Sequence, residues 1–165
     1  MNNVLIAAAC LTATLGADTL AAEQLVVEKK VLTLNAARRI IAAAEAEAKM
    51  RGVGVVVAVV DDAGHVIELA RMDNAQVASV NVGIGKARTA AIYRRPSRVF
   101  EEQIRNGRIA ALALADATPL QGGLPIVIEG NVVGAVGVSG DTPQADEEIA
   151  LAGLSALNGQ LAAVK

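Results

Sequence analysis

Aromatic residues are nearly absent from this chain of 165 residues: tyrosine and phenylalanine occur once each, as Tyr93 and Phe100, and tryptophan does not occur. Hydrophobic residues nevertheless make up 53% of the sequence, so the core has to be built from alanine, valine, isoleucine and leucine. Such small side chains each bury little area, which makes the core of one subunit thin. We therefore expect a homo-oligomer that buries further apolar surface between subunits, with a tightly packed monomer as the alternative.

Cysteine and histidine are equally scarce. Cys10 is the only cysteine, which excludes an intrachain disulfide, a Cys-x-x-Cys redox site and a cysteine-rich zinc site. His65 is the only histidine, so a metal site built from a histidine cluster is excluded. A Ser-His-Asp triad could use no other histidine, and the Gly-x-Ser-x-Gly motif that often carries its serine does not occur.

An excess of positive charge is missing as well. The formal net charge is −2, and no run rich in lysine and arginine occurs. A broad electrostatic footprint for nucleic acid is therefore absent. The segment "VGIGKAR" lacks the ending of a phosphate-binding loop, because Ala87 rather than serine or threonine follows Lys86. Nucleotide binding through that motif is excluded.

The apolar run at the N-terminus is too short to span a bilayer. Residues 4–16 form this run, and small residues before Glu23 offer cleavage points, as in a secretory signal peptide. We predict that residues 1–22 are a signal peptide, that residues 23–165 form one domain, and that the protein is periplasmic or secreted. The n-region has no lysine or arginine, which leaves a cytoplasmic protein with an apolar N-terminal helix as the alternative.

Hydrophobic periodicity predicts elements in the order α-β-β-α-α-β-β-α after an extended arm over residues 23–32. A continuous apolar run precedes the turn "DDAGH", and the return strand "VIELARM" follows it with Glu68 and possibly Arg71 breaking its apolar run. Two segments that alternate or run apolar flank Gly130-Asn131, so each pair predicts a β-hairpin. Two hairpins joined into one antiparallel sheet and covered by helices make an α+β fold. Residues 109–117 are expected to form a short helix or an irregular connector.

Capping residues locate the first and last helices. Thr33 or Asn35 is expected to cap the first helix, and Gly52 to end it in the left-handed conformation. Asp141 or Thr142 is expected to cap the last helix. Its predicted buried stripe consists of Ile149, Gly153, Ala156, Leu157 and Leu161.

A middle helix is predicted over residues 76–93. Pro96 stops it, and Ser97 is expected to cap the next helix. Glycines within the middle helix weaken it, and we expect them where another backbone or a ligand packs closely. The predicted inner face of this helix consists of Val77, Val80, Ile84, Ala87 and Ala91.

Three segments together resemble the GlcG/HbpS family, whose relatives include the C-terminal domain of PduO-type adenosyltransferases. They are "VVVAVVDDAGHVIELARMDNA", "KARTAA" and "PLQGGLPIVIEGNVVGAVGVSGDTPQADEEIA", within a stretch from about Leu32 to Leu157. The resemblance implies a profilin-like fold, assembly into octamers, secretion, and haem as the cofactor. Two features depart from the family: Asn74 replaces a glycine, which asparagine tolerates in a left-handed turn, and the first helix lacks the histidine linked to iron in some relatives.

Polar residues and glycines shared with the family are predicted to form one ligand site where the first hairpin meets the "GKART" helix. Arginine and lysine there would bind carboxylates, either haem propionates or those of a small organic acid. The paired glycines would let backbone amides approach the ligand. The alternative is an Arg71–Asp73 salt bridge that fixes the turn, with Lys86 solvated. The predicted site residues are Arg71, Met72, Asp73, Lys86, Thr89, Gly122 and Gly123.

Few residues could hold haem iron, which is usually bound by histidine, methionine, cysteine or tyrosine. Outside residues 1–22 the candidates are His65, Met50, Met72 and Tyr93. His65 is expected to be an exposed turn residue, Met72 to pack in the core, and Tyr93 to be an ordinary aromatic at a helix end. No axial ligand is assigned from the sequence.

Three hypotheses of function follow. The leading one is an exported haem- or tetrapyrrole-binding protein with a role in carriage, storage or sensing. The second is a metal-free lyase- or isomerase-like enzyme acting on an organic acid, in which Arg71 anchors the carboxylate and Asp73 or Lys86 moves the proton. The third is a structural assembly module that binds no ligand.

Overall fold

A four-stranded antiparallel sheet with helices on both faces organises residues 25–157, the part of the chain that the computed structural model describes. The strand order is β2-β1-β4-β3, so the two hairpins join through their central strands. The α+β class and the order of elements are confirmed, and the predicted signal peptide lies outside the described residues. The elements are α1 (Leu34–Arg51), β1 (Val56–Asp61), β2 (Val66–Arg71), α2 (Ser79–Ile92), α3 (Arg98–Arg105), a short 3₁₀ helix (Ile109–Ala113), β3 (Gly123–Ile128), β4 (Asn131–Ser139) and α4 (Pro143–Ser155).

Strand β1 lies at the centre of the sheet and is buried on both faces, as its continuous apolar run predicts. Successive side chains on a strand point to opposite faces, so Val57 and Val59 pack in the larger core beneath α1 and α4. Val60 packs on the other face against the alanines of α2. The sheet therefore separates two layers of helices, and a residue on α2 lies in a different layer from a residue on α1.

The ends of α1 and α4 follow the capping predictions. Thr33 accepts a hydrogen bond from the amide of Ala36 at 3.2 Å, and Gly52 closes α1 with a left-handed φ of 71°. Thr142 caps α4 by accepting from the amide of Ala145 at 3.3 Å. Within the predicted stripe of α4, Ile149, Gly153 and Leu157 are buried, Ala156 is half-buried, and Leu161 lies outside the described residues.

The predicted inner face of α2 is wrong in part. Val77 precedes the helix and is 77% exposed, while Val80 and Ile84 are half-buried. Glycine and alanine replace them at the contact with the sheet, because α2 packs so closely that a Cβ on Gly137 would lie 2.2 Å from the carbonyl oxygen of Gly83. Because the two backbones approach so closely, the face of α2 that contacts the sheet has room for glycine and alanine but not for larger apolar side chains. The buried residues of α2 are Ser79, Gly83, Lys86, Ala87, Thr89, Ala90 and Ala91.

Ser97 is not the capping residue that the sequence predicts, because its dihedral angles are helical and its side chain makes no capping bond. Its hydroxyl instead donates to the carbonyl oxygen of Leu120 at 2.6 Å and accepts from the amide of Gly123 at 2.9 Å. This pair of bonds ties the start of α3 to the loop before β3. The hydroxyl of Ser97 therefore bonds to a neighbouring loop and does not cap α3. The sequence around Ser97 does not show that this loop lies nearby.

The turn between β3 and β4 lies one residue earlier than predicted. Ile128 pairs with Asn131, so the central residues are Glu129 and Gly130, with φ angles of 50° and 78°. Positive φ at both central residues is what a type I′ hairpin turn requires. Within residues 25–157, no helix is long and apolar enough to cross a membrane.

Candidate functional site

A groove of about 550 Å³ opens where β2 ends beside the C-terminus of α1. The backbone at the end of β2 is held in place, since the amide of Met72 donates to the carbonyl oxygen of Val55 at 3.0 Å. Asn74 then turns the chain with a left-handed φ of 64°, as expected for asparagine in place of the family's glycine. We call this cavity the strand-end groove; it is lined by Glu45, Lys49, Gly52, Val53, Gly54, Arg71, Met72, Asp73 and Asn74.

Glycine at position 54 allows the groove to form. A Cβ there would lie 2.5 Å from the carbonyl oxygen of Asp73, which is closer than a real Cβ contact. The backbone after β2 therefore lies directly against the start of β1. This close approach holds Arg71, Met72 and Asp73 beside the last turns of α1.

Two cations and two carboxylates line the strand-end groove: Lys49 and Arg71, with Glu45 and Asp73. The guanidinium of Arg71 makes a long contact of 3.5 Å to the carbonyl oxygen of Ala75. No salt bridge joins Arg71 to Asp73 within residues 25–157, so the alternative of a turn-fixing ion pair is not what the structure contains. The groove can therefore offer Arg71 and Lys49 to a carboxylate of a ligand.

Met72 has two kinds of neighbour. It packs against the larger hydrophobic core and also lines the strand-end groove, with its side chain half-buried. The core-packing interpretation of Met72 is therefore correct, yet Met72 also lines the same groove as the two cations. Lys49 and Glu45 were not among the predicted site residues. They are four residues apart and so lie on one face of α1, a spacing that fits an ion pair within the helix as well as a groove wall.

Lys86 lies apart from this groove, on α2 against the opposite face of the sheet. It is 3% exposed, and its ammonium group donates to Asp146 Oδ2 at 2.7 Å and to the carbonyl oxygen of Val138 at 3.0 Å. Asp146 belongs to α4 and is 2% exposed. The ion pair thus joins the two helical layers at the end of β4. We call this region the α2–α4 junction, made of Lys86, Gly122, Gly123, Val138 and Asp146.

The electrostatics of the α2–α4 junction are dominated by burial. Burial raises the pKa of the Asp146 carboxyl above its usual range, although the hydrogen bond and charge of Lys86 act to lower it. Asp146 also accepts from the amide of Asp141 at 3.0 Å, so both carboxylate oxygens have donors. Taking two charges out of water is costly, and this pair repays the cost only while both partners remain. Lys86 is therefore not solvated, contrary to one of the alternatives.

The paired glycines make room for Lys86 and do not approach the strand-end groove. A Cβ on Gly123 would lie 2.1 Å from the carbonyl oxygen of Lys86. A Cβ on Gly122 would lie 3.0 Å from the Lys86 ammonium nitrogen, and the φ of Gly122 is 120°. Both glycines are thus explained by close packing, of Gly123 at the start of β3 on the α2 backbone and of Gly122 on Val138, Asp146 and Lys86.

Thr89 has a structural role beside them. Its hydroxyl donates to the carbonyl oxygen of Gly85 at 2.8 Å and accepts from the amide of Thr118 at 2.7 Å. The predicted single cluster is accordingly two separate sets. Arg71, Met72 and Asp73 line the strand-end groove, whereas Lys86, Thr89, Gly122 and Gly123 pack α2 against the loop before β3.

His65 is the exposed turn residue that its position predicts. Its side chain is 79% exposed and lies 3.5 Å from the carboxylate of Asp61. The other Asp61 oxygen accepts from the amides of Ala63 and His65, both at 2.9 Å. Burial acts to raise the pKa of Asp61, but these amide bonds together with the His65 side chain outweigh it and hold the pKa below its usual range. The length of β2 separates His65 from Met72 by roughly 20 Å, so His65 cannot reach the strand-end groove.

The other candidate iron ligands, Tyr93 and Met50, do not line the strand-end groove either. The Tyr93 hydroxyl donates to the carbonyl oxygen of Ala115 at 2.7 Å, and its ring meets Phe100 edge to face with centroids 5.1 Å apart. Met50 is 77% exposed on the last turn of α1. Of the four candidates, Met72 is the one that lines the strand-end groove. No group of three or more histidine, cysteine, aspartate or glutamate residues able to hold a metal ion occurs within residues 25–157.

A two-hairpin sheet between two helical layers, with its interlayer ion pair, places the chain in a defined class of α+β domains. The chain belongs to the HbpS-like family, since the family model described as "Haem degrading protein HbpS-like" matches residues 32–155. Protein GlcG of Escherichia coli strain K12 is 42% identical over 111 residues, covering 67% of this chain and 83% of GlcG.

Solved structures agree with that membership. Klebsiella pneumoniae protein ORFY has a TM-score of 0.77 and 30% identity, covering 86% of this chain and 98% of ORFY. A double mutant of Streptomyces reticuli HbpS has a TM-score of 0.75 and 29% identity, covering 92% of this chain and 99% of HbpS. The resemblance to the GlcG/HbpS family predicted from the sequence is confirmed.

Proposed function

We propose that this protein binds haem or a related tetrapyrrole in the strand-end groove. The observation that carries the proposal is the groove itself, which brings Lys49 and Arg71 together with the thioether of Met72 in about 550 Å³. Its volume lies within the range of roughly 300–1,000 Å³ found for small-molecule sites. Membership of a family described as haem-degrading supports the choice of ligand.

The residues of the groove fit the carboxylate edge of a haem. Arg71 and Lys49 would each hold a propionate through charge-assisted hydrogen bonds. Methionine is one of the side chains that hold haem iron, and Met72 lines the groove while packing against the core. When bound, the iron would supply redox and oxygen chemistry. Val53 and Met72 give one apolar wall, and we propose that the second wall comes from a partner subunit.

Titration of the purified protein with hemin tests this proposal. We expect a shifted Soret band at micromolar protein, and replacement of Arg71 or Lys49 by alanine to weaken the affinity by about tenfold each, the loss of one charge-assisted hydrogen bond. His65→Ala is the matched control, since its side chain lies in the exposed hairpin turn. Absence of a Soret shift in the wild-type protein would refute haem binding.

Assembly and location belong to the same proposal. We propose a homo-oligomer, with an octamer as the expected state, because exposed apolar side chains remain for burial between subunits. These include Val77, Ile109 and Leu112. Light scattering after size-exclusion chromatography tests the assembly state.

We also propose export to the periplasm or the medium and a role in carriage, storage or sensing. N-terminal sequencing tests export, and the mature protein is expected to begin after residue 22.

The enzyme hypothesis loses one of its two proton-transfer candidates. Asp73 lies beside Arg71 in the strand-end groove, but Lys86 is buried in its ion pair with Asp146. A proton shuttle that uses Lys86 and Asp73 on one ligand therefore has no geometric support. Binding of a tetrapyrrole remains the function that the groove supports best.

A further inference from the structure

A second groove, of about 720 Å³, lies at the turn end of the two hairpins, away from the strand-end groove. Four distant parts of the chain form it: arm residues 27–30, Asp62 in the first hairpin turn, Arg94 after α2, and the second hairpin at Val127 and residues 130–132. We call it the arm groove. Its size is that of a small-molecule site.

Arg94 has an unusual backbone at this groove. It is the first residue beyond the C-cap of α2 and has a left-handed φ of 54°. Its amide donates to Ala91 and the amide of Arg95 donates to Ala90, both at 3.3 Å, which is the Schellman pattern that ends many helices. Glycine usually occupies this position because a Cβ is strained there. Arginine is therefore present at a site where its backbone is disfavoured.

A strained backbone indicates a functional role most clearly where the side chain makes no contact that stabilises the fold. Glu129 also has a positive φ, of 50°, but its carboxylate pairs with Lys30 and so holds the arm. Lys29 pairs with Asp62 at 2.7 Å. Arg94 lines the groove, and its guanidinium makes neither an ion pair nor a hydrogen bond with any residue in 25–157.

We propose that the arm groove binds an amphipathic monocarboxylate. Arg94 would receive the carboxylate, since a guanidinium matches that group in geometry and charge. Val27, Val127 and Val132 line the same cavity and would contact an aliphatic chain. Glu28 also lines it, and the two arm lysines are already paired with Asp62 and Glu129, so a second negative charge on the ligand would find no unpaired cation among these residues. The proposal concerns a site separate from the strand-end groove and does not depend on haem.

Octanoate is a suitable probe, with 1-octanol as the same chain without the charge. Isothermal titration should show saturable binding of octanoate to the full-length wild-type protein at millimolar concentrations, and weaker binding of octanol. Arg94→Gly should weaken octanoate affinity by about tenfold or more, the loss of a hydrogen bond to a charged group. Because glycine relieves the backbone strain, the Tm of this variant should be no lower than that of the wild type.

Arg108→Ala is the matched control, because it removes an exposed arginine whose partner is Gln103 rather than a groove residue. It should leave octanoate affinity unchanged. Hemin titration of Arg94→Gly should match the wild type, so a failure of haem binding is distinguishable from a failure at the arm groove. The proposal is overturned if octanoate does not bind the wild type, if Arg94→Gly binds it equally well, or if Arg94→Gly lowers the Tm.

Discussion

The α2–α4 junction and the strand-end groove each contain a cation from the family-shared set, and the two differ in access to solvent. Lys86 is 3% exposed and has a carboxylate and a carbonyl oxygen within hydrogen-bond distance. Arg71 is exposed and makes one long contact to a carbonyl oxygen. A buried charge with fixed partners destabilises the fold when one partner is lost, whereas an exposed charge can bind a ligand. Both residues are cations from the same family-shared set, so residue type does not distinguish the structural role from the ligand-binding one. The difference in burial does.

The largest effect is expected when the junction loses one charge. Lys86→Ala leaves the Asp146 carboxylate buried without its partner, so the free energy of unfolding should fall by about 3–5 kcal/mol. Urea denaturation followed by circular dichroism measures it. Arg71→Ala is the comparison from the other region and should change stability by less than about 0.5 kcal/mol.

A double replacement distinguishes the effect of losing the whole Lys86–Asp146 ion pair from the effect of leaving one charge without its partner. Lys86→Met together with Asp146→Leu removes both charges while keeping similar volumes, so most of the stability lost in Lys86→Ala should return. If the double variant is as unstable as Lys86→Ala, the ion pair stabilises the fold by more than the neutralisation of each charge by the other. In that case our account of the junction is wrong.

A methyl group on Gly123 should have the next largest effect. Its Cβ would lie 2.1 Å from the carbonyl oxygen of Lys86, and overpacking of this kind costs about 1–3 kcal/mol. Gly83→Ala is the matched control on α2, because a Cβ there meets Val56 at an ordinary 3.5 Å. That variant should be neutral or more stable by up to about 1 kcal/mol, since alanine is the better helix former. Equal Tm values for the two variants would contradict this reading of the glycines.

In the strand-end groove, Met72→Leu tests the thioether without disturbing the core. The swap conserves volume, so its stability cost should stay below about 1.5 kcal/mol. If Met72 contributes to iron binding, the Soret maximum of the hemin complex should move while the carboxylate contacts of Arg71 and Lys49 remain. An unchanged spectrum would remove Met72 from the site and leave the two cations as the test of the proposal.

The smallest effect concerns the pH dependence of the first hairpin turn. The pKa of Asp61 is lowered in the folded protein, so its carboxylate contributes stability above the ordinary aspartate range that is lost as the pH falls through the folded value. The destabilisation caused by Asp61→Ala should therefore be larger at pH 7 than at the acid end of denaturation curves. A pH-independent difference would contradict this role of Asp61.

Local chemistry predicted much of the fold. Thr33 and Gly52 delimit α1, Thr142 caps α4, and the burial of β1 on both faces follows from its continuous apolar run. Each of these features depends on residues within a few positions of one another. The resemblance to the family likewise identified the class from the order and spacing of short segments.

The candidate site was predicted less well, for reasons that act over long sequence distances. Lys86 and Asp146 are 60 residues apart, and nothing in the local pattern of either indicates their pairing. The face of α2 was decided by the close approach of Gly83 and Gly137, again from different elements. Ser97 lost its capping role to a loop that follows it by more than twenty residues.

By itself, the sequence determined the class of fold, the order of its elements, the exposed turn at His65 and the scarcity of iron ligands. These depend on composition, periodicity and local turn chemistry, which act within one element. Only the tertiary structure decided that Arg71 and Lys86 lie in different places, that Gly122 and Gly123 accommodate a buried lysine, and that Lys49 and Arg71 line one groove. The physical reason is that burial and pairing of charges depend on which elements pack together, and packing joins residues that are distant in the chain.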